Sequence, residues 1–214
     1  MLINLEEVAS DIASKVDGAR LTPVIEKEII HYEIIRSLGR NGLLRDITFQ
    51  GGTSLRLCYG SQRYSEDLDF VAGDRFDSLP LDDFSKTLRS DLLKSYDTEV
   101  SVREPKVVND FDGVGMRRWT VSVNTNIARP DLPKQRIKLE IASVPAHTST
   151  IRRVAVNIPN LPECMTTSRS GARHSRKSWP TSSSHSPPPI HISGIATSGT
   201  FPGSSVHRRS ISLP

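Results

Sequence analysis

Apolar residues recur at helical spacing twice before residue 40. The first stretch, 4–16, predicts a helix. The second, 24–38, predicts another, with Ile25, Ile29, Ile30, Ile34 and Leu38 on one stripe and Gly39 with Asn41-Gly42 as the stop. The period then shortens. Residues 46–50 are β-prone and end at Gly51-Gly52, and 53–59 read as a short helix opening straight after that pair. A strand is predicted over 65–72, with Asp67 and Asp69 on one face and Leu68 and Phe70 on the other.

Helical spacing returns over 80–96 through Leu81, Phe84, Leu88, Leu92 and Leu93. Residues 99–103, 117–124 and 135–144 then alternate like strands, separated by turns at 110–113 and 129–131. In the last of them Ile137, Leu139 and Ile141 share one face, while Lys138, Glu140 and Ala142 share the other. Helices flanking a small mixed sheet make an α+β chain.

Composition divides the chain in two. Residues 165–214 hold six Lys or Arg, no Asp or Glu, 14 Ser, six Pro and four of the six His. The remaining 22 basic and 24 acidic residues lie in 1–164, so the net +4 belongs to the tail and the body is slightly acidic. The overall basic balance is therefore a poor guide to what the body binds. Residues 165–214 show no sustained periodicity, so disorder is expected there, with Ile190, Ile192, Ile195 and Phe201 lacking a packing pattern. One domain over 1–164 followed by a disordered basic tail is the expected organisation.

The two cysteines, Cys58 and Cys164, form neither a disulfide framework nor a metal knuckle. Cys58 lies in an apolar-rich run and reads as a small core residue. No apolar run approaches the length of a membrane span and no N-terminal stretch reads as a secretory signal. A cytoplasmic location without membrane partners is the expectation.

The chemistry concentrates in residues 51–69. A Gly-Gly turn lets backbone approach a ligand where a Cβ would clash, and a helix opening there aims N–H groups and a positive dipole end at phosphate. Thr53 or Ser54 can add a hydroxyl. Asp67 and Asp69, two apart on a strand, point the same way and suit a hard, oxygen-binding cation such as Mg²⁺. Phosphoryl transfer by two metal ions usually draws a third acid from another strand, and Glu140 is the best placed. Arg63 and Lys138 each read equally as a phosphate partner or an ordinary surface cation. Trp119 reads as core, and Ser54 lacks a His–Asp partnership of the hydrolase kind. His31 and His147 lack ligand-spaced partners and receive no role.

The stretch "GGTSLRLCYGSQRYSEDLDF" resembles the signature of the AbiEii/AbiGii toxin family of nucleotidyltransferases, within the DNA polymerase β-like superfamily. Gly51, Gly52, Thr53 and Leu55 match its Gly-Gly-Thr-x-Leu element. Arg63, Ser65, Glu66, Asp67 and Asp69 match its Arg-x-Ser-Glu-Asp-x-Asp element, and Lys138-Leu139-Glu140 its Lys-x-Glu strand. The likeness runs from about residue 24 to about 162.

It implies a nucleotidyltransferase-like fold. It also implies two Mg²⁺ ions on Asp67, Asp69 and Glu140, with Lys138 completing the catalytic set. Nucleotide binding would fall to Gly51, Gly52, Thr53, Ser54, Arg63 and Ser65. The implied activity is transfer of a nucleotide from a nucleoside triphosphate to an RNA such as tRNA. The setting is toxin–antitoxin or abortive phage defence, with a cognate antitoxin as partner. Antibiotic-modifying enzymes of the same superfamily keep a small-molecule acceptor open as an alternative. An inactive remnant that binds only nucleotide or antitoxin is the other.

The likeness breaks after Cys164, where the family's Ala-Asp-Lys helix and Arg-Asp-x-x-Asp-Leu segment are absent, so the domain is incomplete on its C-terminal side. Both can be written in a shifted reading frame. Trp179-Pro180 forces alanine when each third base is read with the next two, Thr181 and Ser182 permit Asp-Lys, and 195–201 permit the Arg-Asp segment. A frameshift near Cys164 is the expectation that joins the missing motifs to the missing acids.

Overall fold

The computed structural model describes residues 4–16, 19–96, 98–109, 114–126, 131–158, 161 and 189–193. Helix α1 (Leu5–Lys15) starts where Asn4 caps it, its side chain accepting from the Glu7 amide at 3.1 Å. Helix α2 (Thr22–Arg40) carries Pro23 in its first turn, and a left-handed Gly42 follows its end. Strand β1 (Thr48–Gln50), helix α3 (Gly51–Tyr59) and strand β2 (Leu68–Val71) come next, then helix α4 (Phe84–Ser95). Five strands complete the described residues: β3 (Glu99–Asn109), β4 (Gly115–Asn124), β5 (Gln135–Ala142), β6 (Ser149–Arg153) and β7 (Pro189–Ser193).

The seven strands form one sheet in the order β3-β4-β5-β2-β1-β7-β6. β2 runs parallel to β5 and β1 parallel to β7, and the remaining pairs are antiparallel. Alternation along β4 and β5 separates the two faces. Trp119, Val121, Val123, Ile137, Leu139 and Ile141 are buried, and their neighbours are half-buried or exposed except for Ala142 at the end of β5. The buried face belongs to the same core as α2 and α4, where Phe84 meets Trp119 edge-on at 5.6 Å. Trp119 is thus a core residue, as its sequence context predicts.

α2 has more buried than its apolar stripe. Glu26, Glu28, His31, Glu33 and Ser37 are also buried, because α1, α4 and β5 surround the helix. The acids have partners from distant elements. Glu26 accepts from Thr125 Oγ1 at 3.0 Å and Gln135 Nε2 at 2.8 Å, and Glu28 accepts from Arg56 Nε at 2.5 Å.

Part of the tail reading is corrected. Within 165–214 the structure describes 189–193, and these residues form β7 between β1 and β6, with Ile190 and Ile192 fully buried. Pro-Ile-His-Ile-Ser alternates with period two, so both isoleucines reach the core once β1 offers a free edge. Residues 179–182 and 195–201, on which the reading-frame argument rests, lie outside the described residues. Leu93, expected on the apolar stripe of α4, is instead 37% exposed at its edge. Among the described residues no helix is long and apolar enough to cross a membrane.

His31 is the clearest pH-sensitive element. Burial, more than any other influence, pushes it down to about 4, and its Nε2 lies 3.0 Å from the Glu66 carbonyl. The unfolded chain protonates this ring near 6.5 and the folded chain only near 4. Its contribution to stability is therefore complete above pH 6.5 and is lost as the pH falls through 4. Urea denaturation at pH 7 and pH 4.5 should show this loss, up to about 3 kcal/mol from the one residue. His31→Gln should flatten that part of the profile, and an unchanged pH slope in the variant would contradict the assignment.

Candidate functional site

β1 hands the chain straight into α3. Gln50, in extended conformation, precedes the helix without a side-chain cap, and Gly51 takes φ 77°. The first-turn N–H groups of α3 are therefore left without a capping side chain, the usual condition of an anion-binding helix start. At its other end the helix closes on left-handed Gly60, with amides 60 and 61 donating to the carbonyls of Arg56 and Leu55 at 3.1 and 3.2 Å.

The glycine pair is there for room. A Cβ on Gly51 would stand 2.4 Å from Asp69 Oδ2, and one on Gly52 would stand 2.9 Å from Ser65 Oγ. Any larger residue at 51 would have to displace that carboxylate and accept a strained left-handed backbone.

Cross-strand register gathers the acids. Gln50 pairs with Asp69, Asp69 with Glu140, and Glu140 with Arg118, giving one row across β1, β2, β5 and β4. Asp67, just before β2, accepts from the Lys138 amide at 3.3 Å and from its Nζ at 3.4 Å. Glu140 accepts from Arg118 Nε at 2.6 Å, a partner that sequence reading left out. Arg118 is legible only afterwards: it lies in the Arg117-Arg118-Trp119 run, and register alone selects it.

Asp69 is held above the usual carboxylate range, first by burial, then by Glu140 and Asp67, against a smaller pull from Lys138. The structure thus brings Asp67, Asp69, Glu140 and Lys138 together beside Gly51 and Gly52. As the side chains stand, no three His, Cys, Asp or Glu residues close into a metal-holding group among the described residues. Asp67 and Glu140 are turned instead to Lys138 and Arg118.

Two hydroxyls are already committed. Thr53, buried, donates to the Asp67 carbonyl, and Ser54 donates to the Gly51 carbonyl at 2.8 Å. Neither hydroxyl points into the site, so any share they take in anion binding falls to their backbone amides. Arg63 is exposed on the loop between α3 and β2.

That loop is fastened to α2. Arg56, ion-paired with Glu28, donates to the carbonyls of Ser61 and Gln62 at 3.0 and 3.3 Å and lies 3.7 Å over the Tyr64 ring. Lys27 reaches Glu66 at 2.9 Å, and His31 holds the Glu66 carbonyl. Past the acids on the same sheet face, Val71 and Ala142 floor a cavity of about 230 Å³, which Gln50 and residues 144–148 complete.

Comparison with known families places the chain among the nucleotidyltransferases. Residues 33–169 match the profile described as nucleotidyl transferase AbiEii toxin, type IV toxin–antitoxin system. That is more than half of the chain, and the chain belongs to the AbiEii family.

Two solved structures are also similar. One is JHP933 from Helicobacter pylori, 24% identical with a TM-score of 0.37, over 58% of this chain and 46% of that one. The other is a candidate nucleotidyltransferase from H. pylori, 25% identical with a TM-score of 0.35, over 56% and 45%. The chain spans a little under half the length of these structures. A comparison with curated protein sequences finds no match.

The crowding around Asp69 has a measurable cost. In chelator at neutral pH, Asp69→Asn should raise Tm by about 2–4 °C, since it removes a half-buried charge from between two others. The gain should shrink as the pH falls into the range where wild-type Asp69 is itself protonated. Scanning calorimetry in EDTA checks both, and a lower Tm for the variant would show that Asp69 stabilises the fold instead.

Proposed function

We propose that this chain transfers a nucleotide from a nucleoside triphosphate to a hydroxyl of an RNA, with tRNA as the acceptor and a cognate antitoxin as its restraint. The observation that carries the reading is the registered row Gln50–Asp69–Glu140, with Asp67 beside it, at the uncapped start of α3. A phosphate-receiving helix start and a set of carboxylates on the same ground are what phosphoryl transfer requires.

In this reading the backbone amides of Gly51, Gly52, Thr53 and Ser54 receive the triphosphate oxygens. Ser65 stands against Gly52, and Arg63, exposed on the same loop, would offset the charge of the triphosphate. The donor set suits hard divalent cations: three carboxylates and no nitrogen or sulfur ligand. Asp69 resists ionisation because of burial and its two acidic neighbours, a conflict that positive charge between them relieves. Asp67, Asp69 and Glu140 would hold Mg²⁺, which when bound activates the attacking hydroxyl and offsets charge on the leaving group.

The chain's own residues do the positioning. Asp67 and Glu140, released from Lys138 and Arg118, leave both cations available to the triphosphate. The acceptor hydroxyl gives up its proton to the carboxylate set as its oxygen bonds to the α-phosphorus, the bond from that phosphorus to the bridging oxygen of the β-phosphate breaks, and pyrophosphate departs toward Lys138 and Arg63. The cavity beyond Asp69 and Glu140 gives the nucleoside half a place.

Incubation with labelled nucleoside triphosphates, Mg²⁺ and total tRNA should label the RNA, and Asp67→Ala should lower the rate at least about 100-fold. Label on an aminoglycoside alone would establish the small-molecule alternative. No label on any acceptor, with nucleotide still bound, would mark the chain as an inactive remnant.

A further inference from the structure

On the sheet face opposite the core, most registered positions of β3, β4 and β5 are exposed or half-buried among the described residues, and five of them are basic. Arg103 pairs with Thr120 and Thr120 with Lys138, the residue that holds Asp67. Lys106 pairs with Arg118 and Arg118 with Glu140, the neighbour of Asp69. A third row runs Ser101–Ser122–Arg136. Two of the three rows therefore end on the carboxylates, about 14 Å from β3 at three strand spacings.

A β-bulge completes the pattern. The register shifts between Arg103 and Lys106, so three steps on β3 match two on β4. Lys106 is thereby paired with Arg118, and Glu104 is turned away to accept from Ser85 of α4 at 3.0 Å. Without the extra residue, Pro105 would take the place of Lys106. Arg103, Lys106 and Arg136 are exposed and have no acidic partner among the described residues.

We propose that this face is the track on which the RNA acceptor lies, with Arg103, Lys106 and Arg136 gripping its phosphodiester backbone and the two rows that begin at Arg103 and Lys106 leading its end to the carboxylates. The proposal rests on the RNA-acceptor reading above and adds the surface that receives it. Charge complementarity names the occupant. The body's net charge over 1–164 is negative, yet this face gathers five cations, four of them in the rows that end on the acids. A protein partner would want an apolar centre. Between the basic positions the face offers Ser101, Thr120 and Ser122, which can donate to phosphate but cannot form such a centre.

The test is tRNA binding by the full chain in EDTA, so that no transfer occurs, across a salt series. The triple variant Arg103→Gln, Lys106→Gln, Arg136→Gln should lose at least about tenfold in affinity, and its log K against log salt should be shallower by about two. Arg103→Glu alone serves as the check should the triple variant melt early. In the transfer assay the KM for RNA should rise while that for the nucleotide stays as in wild type.

Wild-type affinity and salt slope in a folded triple variant would overturn the track. So would loss of binding to polyglutamate, an acidic polypeptide probe, with tRNA binding intact. The two readings separate cleanly. tRNA gripped through these residues but never labelled defeats the proposed activity and keeps the track. Labelling with an unchanged RNA KM in the triple variant does the reverse.

Discussion

Everything at the site depends on how closely Gly51 approaches Asp69. Strand β1 must turn into α3 at the same level at which β2 presents its carboxylate, and the space between them is less than one methyl group. Glycine resolves the conflict in two ways at once. It accepts φ 77°, which side-chain-bearing residues rarely adopt, and it leaves the volume that the Asp69 oxygen fills. Because β2 is also registered with β5, that single fit places the helix start against Asp69 and Glu140 together.

The rest of the fold keeps this approach in place. α2 is the anchor, and it works through polar groups as much as apolar ones. The Glu28–Arg56 pair is nearly inaccessible to water, and Arg56 Nη1 donates to two carbonyls of the loop that leads to Asp67. Removing either partner would leave an unpaired buried charge, the costly way to break such a pair. Lys27, next to Glu28, and His31, about one turn later on α2, hold the same loop. The acids are thus delivered by a loop whose position is set from the core.

Much of this was legible in the chain, for physical reasons. Gly51-Gly52 before a hydroxyl pair, and Asp67 and Asp69 one residue apart, are local patterns whose consequences do not depend on distant sequence. Lys138 and Glu140 were readable because strand alternation alone puts them opposite Ile137, Leu139 and Ile141. What escaped depends on pairing. Arg118 meets Glu140 only through the β4–β5 register, and Lys106 reaches the open face only through a bulge that no periodicity announces. The buried acids of α2 look like a solvated helix face until Gln135, Thr125 and Arg56 arrive from elsewhere. β7 was missed because a Ser/Pro-rich composition outweighed five residues of clean alternation, which became a strand when β1 supplied an edge.

The central claim is that the Gly51–Asp69 approach builds a nucleotide site, and calorimetric titration of Gly51→Ala tests it most directly. With Mg²⁺ and a non-hydrolysable nucleoside triphosphate, wild type should bind. The variant should retain a cooperative melting transition yet bind at least about tenfold more weakly, a loss of about 1.4 kcal/mol or more. Equal affinity in a folded Gly51→Ala protein would contradict the account, because a methyl group at that point cannot coexist with Asp69 where the structure places it.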